Sequence, residues 1–151
     1  MIRPAQEQDL RTLTELAEQY HKEHWFGKHS KFDAEHTFQN FRAYYIGMIA
    51  NVLVAECKEH GIIGFCVAFL VPLHWTPQIR CTIGYSYINK DHRKDGVFGE
   101  LVQAQTDWAS DKGCVDLNVG DGAQYGGKFS TVCHGLGFNK TGTDSYKVLS
   151  Q

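Results

Sequence analysis

The sequence predicts a single α/β domain over residues 1–151, built on a mixed β-sheet with helices on both faces. Three observations support this prediction. The chain has the length of one domain, its apolar residues switch between a helical and a strand period, and no repeat or linker divides it. Apparent hairpins in the middle of the chain and β-α-β crossovers near its end indicate the order β-α-α-β-β-β-α-β-α-β, with antiparallel and parallel pairing in one sheet.

The first half of the chain is expected to contain a short strand, two helices and a strand hairpin. Leucines that recur every three residues from Leu10 indicate an amphipathic first helix, and Asp33 is suited to cap a second one. The buried side of that second helix is predicted to comprise Phe38, Phe41, Tyr45 and Met48. The predicted elements are a strand at residues 2–3, a helix over 10–20, a loop over 25–31, the helix after Asp33, and strands at 51–57 and 62–71.

The second half is expected to alternate strands and helices. Strand 79–88 should place Ile79, Cys81, Ile83, Tyr85 and Tyr87 on one face, because they alternate along the sequence. Helix 96–112 should end at Gly113, a typical residue after a helix C-terminus. The remaining predicted elements are a strand at 114–119, a glycine-rich turn (Gly120, Gly122, Gly126, Gly127), a short helix carrying Phe129, Val132, Cys133 and Leu136 that stops at Gly137, and a strand at 145–149.

Composition excludes several classes of function. Fifteen basic and seventeen acidic side chains give a formal charge of −2, which argues against a nucleic-acid partner. The longest apolar run, residues 62–73, is too short to span a bilayer, and the N-terminus lacks the pattern of a secretory signal. We therefore expect no membrane partner and a cytoplasmic location. The five cysteines contain no C-x-x-C pair and are interpreted as small buried apolar residues, and the eight histidines form no compact metal-ligand set.

The most informative segment is the turn between strand 79–88 and helix 96–112. A strand ends near Ile88, a basic turn containing Arg93 and Lys94 follows, and a helix begins directly after Gly96. Free N–H groups and the dipole at a helix N-terminus bind anions, and glycines let a phosphate approach the backbone. The turn is thus either a pyrophosphate site or an ordinary strand-to-helix connection with solvated charges. The P-loop and dinucleotide-binding glycine motifs are both absent.

This segment resembles the coenzyme A loop of the GCN5-related N-acetyltransferase (GNAT) superfamily. In that family a strand ending in V-x-P-x-x-R runs into R-x-x-G-x-G/A and a helix, which is matched here by residues 88–93 and then 93–98. The opening residues 1–10 and the later Leu136-Gly137-Phe138 are similar to the family's first strand and helix and to its L-G-F ending, so the resemblance extends over the whole chain.

The resemblance implies a twisted, mostly antiparallel sheet and transfer of an acetyl group from acetyl-CoA, without a metal. The acceptor would be a primary amine of a small molecule or protein that attacks directly in a ternary complex, and the protein would be a monomer or homodimer. The alternatives are a non-catalytic coenzyme A-binding or protein-interaction module and a toxin-like member acting on charged tRNA, which the net charge disfavours. The residues expected to bind the cofactor are Ile88, Asn89, Arg93, Lys94, Asp95, Gly96, Val97, Phe98 and Gly99.

Four departures from the family pattern affect the expected chemistry. Phe98 replaces the second loop glycine or alanine, and Lys90 replaces the proline. The position of the tyrosine that protonates the thiolate in many members is Cys133, which either acts as the general acid or is a packing residue; Tyr125 and Ser130 lie nearby in sequence as substitutes. Strand 79–88 also lacks the family's glutamate base.

The acceptor side is expected to involve aromatic residues. In the family the loop between the first two helices closes over the acceptor, which makes Trp25 and Phe26 candidate substrate-binding residues, although both could simply cover the core. Tyr85 is the third candidate, as part of a pocket wall.

Overall fold

The computed structural model describes residues 1–120, 128–142 and 147–149. Its helices and strands follow the predicted order as far as the fourth helix. The strands are β1 (Ile2–Pro4), β2 (Ala50–Cys57), β3 (Gly61–Pro72), β4 (Ile79–Ile88) and β5 (Leu117–Val119). The helices are α1 (Leu10–Glu23), α2 (Ala34–Ile46), α3 (Val97–Asp111) and α4 (Lys128–Gly135), with short 3₁₀ turns at Glu7–Asp9, Trp25–Lys28 and Lys90–His92.

The five strands form one sheet in the order β1-β2-β3-β4-β5. The first three pairings are antiparallel and the pairing of β4 with β5 is parallel. The predicted mixed, mostly antiparallel sheet is therefore confirmed.

Two hydrophobic cores lie on opposite faces of the sheet. Along β2, Val52 and Val54 face the core formed with α1 and α2, whereas Leu53 and Ala55 face the core formed with α3. This alternation follows from the period of two in a strand. Since both faces are covered by helices, β2 and β3 read as continuous apolar runs in the sequence.

A β-bulge in β4 overturns one prediction about side-chain orientation. Val67 of β3 pairs with Tyr85 and Ala68 pairs with Ile83, so Gly84 is an extra residue in β4. Beyond the bulge, odd-numbered side chains of β4 point to the opposite face of the sheet. Ile83 therefore packs against the α3 core, whereas Tyr87 belongs to the α1 and α2 core. The prediction that the odd-numbered residues of β4 share one face is wrong beyond Ile83. A Cβ at position 84 would lie 2.7 Å from the Phe69 ring, which explains the glycine.

The apolar face of α2 also differs from the prediction. Asp33 caps the helix as expected, accepting the backbone N–H of His36. Phe41 is buried, but Tyr45 is 42% and Met48 is 86% exposed, and Met48 follows the end of the helix. Tyr44 packs against the core instead, because position 44 lies on the same helical face as Phe41.

The C-terminal part of the chain confirms the helix ends and corrects the strands. Gly113 and Gly137 have φ values of 74° and 89°, as residues after helix C-termini often do. The strand expected over 114–119 is confined to Leu117–Val119. Of the predicted strand 145–149, residues 147–149 do not form a strand, and residues 145–146 lie outside the described part of the chain, as do Gly122, Gly126 and Gly127.

The short helix α4 buries less than its sequence pattern suggests. Cys133 is buried and Phe129 is partly buried, but Val132 and Leu136 are 48% and 40% exposed. The region expected to be a loop, 25–31, contains the 3₁₀ turn Trp25–Lys28.

Candidate active site

The described pairing of β4 with β5 covers the N-terminal half of β4. Their pairing involves Cys81, Thr82 and Ile83 of β4 and ends with Ile83 opposite Val119. From Gly84 to Ile88, β4 continues without a β5 partner in the described part of the sheet. Among the described residues, the backbone groups on this edge of β4 have no β5 partner; such groups form hydrogen bonds wherever a partner is present.

The N-terminus of α3 follows the C-terminal end of β4 through the connection of residues 89–96. Gly96 caps the helix with φ 74°, and the first helical hydrogen bond runs from the N–H of Glu100 to the carbonyl of Gly96, at 3.2 Å. The preceding N–H groups, those of Val97, Phe98 and Gly99, have no acceptor within a helix. A Cβ built on Gly96 would meet nothing within 4 Å, so an anion can approach this end of the helix, where the dipole favours negative charge.

The side chain of Phe98 leaves the helix N-terminus accessible. It packs against the α3 core, and its ring centroid lies 5.2 Å from that of Phe129 on α4. The replacement of a small family residue by phenylalanine is therefore compatible with a phosphate site, because only the backbone of residue 98 faces the helix start. Gly99 borders α4 as well: a Cβ there would lie 3.5 Å from Leu136.

Arg93 connects the predicted cofactor loop to α1. Its Nε donates to the carbonyl of Ile88 at 2.9 Å, and its guanidinium forms an ion pair with Glu23 at the end of α1. The guanidinium carbon also lies 5.4 Å from the centroid of the Tyr87 ring, a cation–π distance. The predicted contact of the Arg93 side chain with a pyrophosphate stays a prediction, since in this structure the side chain binds protein groups.

Glu23 is a site residue that the sequence analysis missed. It accepts hydrogen bonds from the hydroxyl of Tyr87, at 2.9 Å, and from Arg93. Burial, followed by the hydrogen bond to Glu23, raises the pKa of Tyr87 to about 12, so this phenol stays protonated and acts as a donor. No local pattern marks Glu23, because its partners are 64 and 70 residues away.

A cavity of about 300 Å³ lies on the α1 and α2 face of the sheet. Phe26 and Tyr85, two of the predicted substrate-binding residues, line it. Trp25, the third, packs beside it, with its ring centroid 5.5 Å from that of Phe26. The other lining residues are Ala17, Tyr20, His21, Ser30, Lys31, Phe32, Asp33, His36, Thr37, Asn40, Phe41, Tyr44 and Phe65.

Comparison with protein-family models supplies the deciding observation: residues 1–123 match the acetyltransferase (GNAT) domain. The chain belongs to the GNAT acetyltransferase family. A search of curated protein sequences finds no significant match.

Solved structures share the fold of this GNAT domain over its full length. The aminoglycoside 6'-N-acetyltransferase AAC(6')-Ig of Acinetobacter haemolyticus is 21% identical with a TM-score of 0.74, and the alignment covers 100% of this chain and 99% of that one. A mutant of the BH1408 protein of Bacillus halodurans is 23% identical with a TM-score of 0.80, covering 99% of both chains. The ribosomal-protein-alanine N-acetyltransferase of Brucella melitensis is 15% identical with a TM-score of 0.76, covering 99% and 98%.

The remaining predicted loop residues of this GNAT domain build the loop itself. The side-chain oxygen of Asn89 accepts the backbone N–H of Asp91 at 3.2 Å, and the backbone N–H of Asn89 donates to the carbonyl of Ile63 at 2.8 Å. Lys94 and Asp95 are exposed beside the helix start. The nine predicted cofactor-binding residues thus all lie between the end of β4 and the first turn of α3.

Two of the three candidate proton donors, Cys133 and Ser130, lie on α4. Cys133 is buried on the helical face that also carries Phe129 and Leu136, both of which border the first turn of α3. Ser130 is partly buried on the same helix, and Tyr125 lies outside the described residues. The assignment of a proton donor among them stays a prediction.

Metal and membrane sites were also predicted to be absent from this chain. Among the residues that the structure describes, no three His, Cys, Asp or Glu side chains are grouped to hold a metal ion. Within the same residues no helix combines the length and apolarity needed to cross a bilayer.

Proposed function

We propose that this protein transfers an acetyl group from acetyl-CoA to a primary amine by direct attack in a ternary complex. The observation that carries the proposal is the start of α3 at the end of the connection from β4. The free N–H groups of residues 97–99 and the accessible Gly96 suit the diphosphate of the cofactor. The edge of β4 from Gly84 to Ile88, which has no β5 partner among the described residues, suits its extended arm.

Bound acetyl-CoA supplies a thioester whose acetyl carbon forms a bond to the amine nitrogen while the carbon–sulfur bond breaks. The protein's part is mainly to hold the two reactants together. Positioning of this kind contributes about 7–11 kcal/mol at best. The amine must lose one proton and the thiolate must gain one. Cys133, Ser130 and Tyr125 remain the candidates for protonating the thiolate, and solvent can also do so.

A non-catalytic coenzyme A-binding module is the second candidate function. It is favoured by one observation: β4 carries no carboxylate, so the glutamate that many family members use as a base is missing. This alternative predicts acetyl-CoA binding without thiol release in the presence of any amine. For either function we propose a cytoplasmic monomer or homodimer that uses no metal.

The deciding experiment combines thermal unfolding with an assay of thiol release. Acetyl-CoA at about a hundredfold over its dissociation constant should stabilise the protein by about 2.7 kcal/mol, which raises the melting temperature by roughly 5–10 °C for a domain of this size. Pantetheine, which lacks the diphosphate, is the matched control and should give a much smaller shift. The absence of a shift with millimolar acetyl-CoA would overturn the cofactor assignment.

A further inference from the structure

We propose that the acceptor of this enzyme is a compact amine with a single ammonium group and an aromatic or apolar body, bound in the cavity between α1, α2 and β4. This inference rests on the proposed acetyl transfer and specifies its acceptor. It is carried by four features of the cavity: its walls, its charge, its volume and its position against β4.

The walls of the cavity are aromatic. Phe41 and Phe65 meet edge to face at 5.5 Å and 90°. The ring of Tyr44 meets Phe69 in the same way at 5.0 Å, and Phe69 in turn meets Tyr85 at 6.0 Å. Such a surface gains free energy by covering an apolar body, and its ring faces attract one cation. The aromatic residues that line the cavity are Tyr20, Phe26, Phe32, Phe41, Tyr44, Phe65 and Tyr85.

The charge of the lining does not suit a polycation. Lys31 and Asp33 are the two formally charged side chains among the described lining residues, so their opposite charges sum to zero. His21 and His36 also line the cavity, and neither side chain can supply an anionic partner. One oxygen of Asp33 already accepts the N–H of His36 at 2.9 Å. An aminoglycoside or a polyamine carries several ammonium groups and needs several anionic partners, which this lining does not provide.

The volume points to a compact molecule. At about 300 Å³ the cavity lies at the lower end of the range for small-molecule sites, roughly 300–1,000 Å³. A protein side chain or a small free amine fits such a volume, but the aromatic walls favour an acceptor whose non-reacting part is apolar.

The position of the cavity places its occupant beside the C-terminal half of β4. Tyr85 lines the cavity and belongs to the part of β4 that has no β5 partner among the described residues. An amine held against Tyr85 therefore lies next to the strand edge along which the thioester is expected to bind, and this proximity is what direct transfer requires.

The test measures binding of benzylamine to the protein with coenzyme A present, by isothermal titration calorimetry. Saturable binding is expected, with binding of kanamycin and spermidine at least about tenfold weaker, a difference of about 1.4 kcal/mol. Thr37→Trp and Asn40→Phe add bulk to two lining positions on α2, and each should weaken benzylamine binding at least about tenfold.

Gln39→Trp is the matched control, because Gln39 lies on the exposed side of the same helix and is not part of the lining. This variant should bind benzylamine within about twofold of the wild type. Two lining variants are used so that a folding defect in one, detected by circular dichroism, leaves the other to decide.

The outcomes separate this inference from the proposed function. Absence of saturable benzylamine binding, tighter binding of kanamycin or spermidine, or unchanged binding in both folded lining variants would overturn the acceptor class. Thiol release with kanamycin but not with benzylamine would overturn it too, while leaving acetyl transfer intact. Benzylamine binding that the lining variants abolish, without thiol release from acetyl-CoA, supports the amine site and overturns the transfer reaction.

Discussion

Substitution of Gly96 by aspartate or asparagine tests the proposed diphosphate site with a matched pair. The residue has φ 74°, and a Cβ there would meet no atom within 4 Å apart from its neighbours in the chain. Both new residues tolerate the left-handed region better than most, at a cost of about 1 kcal/mol. The expected fall in melting temperature is therefore about 2–4 °C for each variant.

The two variants differ in one charge at the start of α3. Without ligand, the aspartate carboxylate should interact favourably with the helix dipole by about 0.3–1 kcal/mol, so the aspartate variant should be at least as stable as the asparagine variant. Against a bound diphosphate the same carboxylate is repelled by about 1–4 kcal/mol for each nearby negative charge at about 4 Å. A penalty of about 2 kcal/mol corresponds to roughly 30-fold weaker binding.

The assay is acetyl-CoA titration by calorimetry at constant ionic strength, with melting temperatures of both variants measured without ligand. We expect Gly96→Asp to lose at least about 30-fold in affinity and Gly96→Asn to lose much less. Equal affinity of the two variants would refute the reasoning, because a diphosphate at this helix start must respond to the added charge. At high salt the difference in acetyl-CoA affinity between the two variants should become smaller, because salt screens exposed charges.

Three further predictions concern other parts of the molecule. Glu23→Gln should lower the free energy of unfolding in urea by about 0.5–1 kcal/mol, because the ion pair of Glu23 with Arg93 is partly exposed. In a double-mutant cycle with Arg93→Gln, the two losses of stability should be non-additive. Additive losses would contradict this pairing. Cys133→Ala should cost about 1 kcal/mol of stability and leave turnover nearly unchanged, because the thiol is packed in α4; a 10²–10⁴-fold loss of turnover would instead establish it as the general acid. Asp9→Asn should lower stability by about 2 kcal/mol at pH 7, because the hydrogen bonds from Arg3 hold the pKa of Asp9 below its ordinary value. Stability from a lowered carboxyl pKa is lost on acidification, so the difference in melting temperature between wild type and Asp9→Asn should shrink as the pH falls below about 3.9, and a constant difference would argue against the linkage.

The four helices and the first four strands could be predicted because they depend largely on local patterns. The leucine period of α1, the cap at Asp33 and the stop at Gly113 are all set by neighbouring residues. Side-chain orientation in β4 could not be predicted in the same way. The alternation of strand 79–88 continues unbroken in the sequence, and only pairing with β3 shows that Gly84 is the extra residue. A bulge depends on the register with a partner strand, which a single segment does not encode.

The cofactor loop and the acceptor cavity differ in the same way, because one depends on local sequence and the other on tertiary packing. The loop from Ile88 to Gly99 could be predicted because its residues are contiguous and its chemistry depends on backbone N–H groups at a helix start. The proposed acceptor cavity draws lining residues from α1, α2, β3 and β4, which meet only through tertiary packing. Donor binding thus depends on a short segment of backbone, whereas acceptor choice depends on side chains that separate elements bring together. Sequence changes at the cavity can therefore alter the acceptor without disturbing the donor site, and this is the separation that the α2 lining variants and the Gly96 pair are designed to measure.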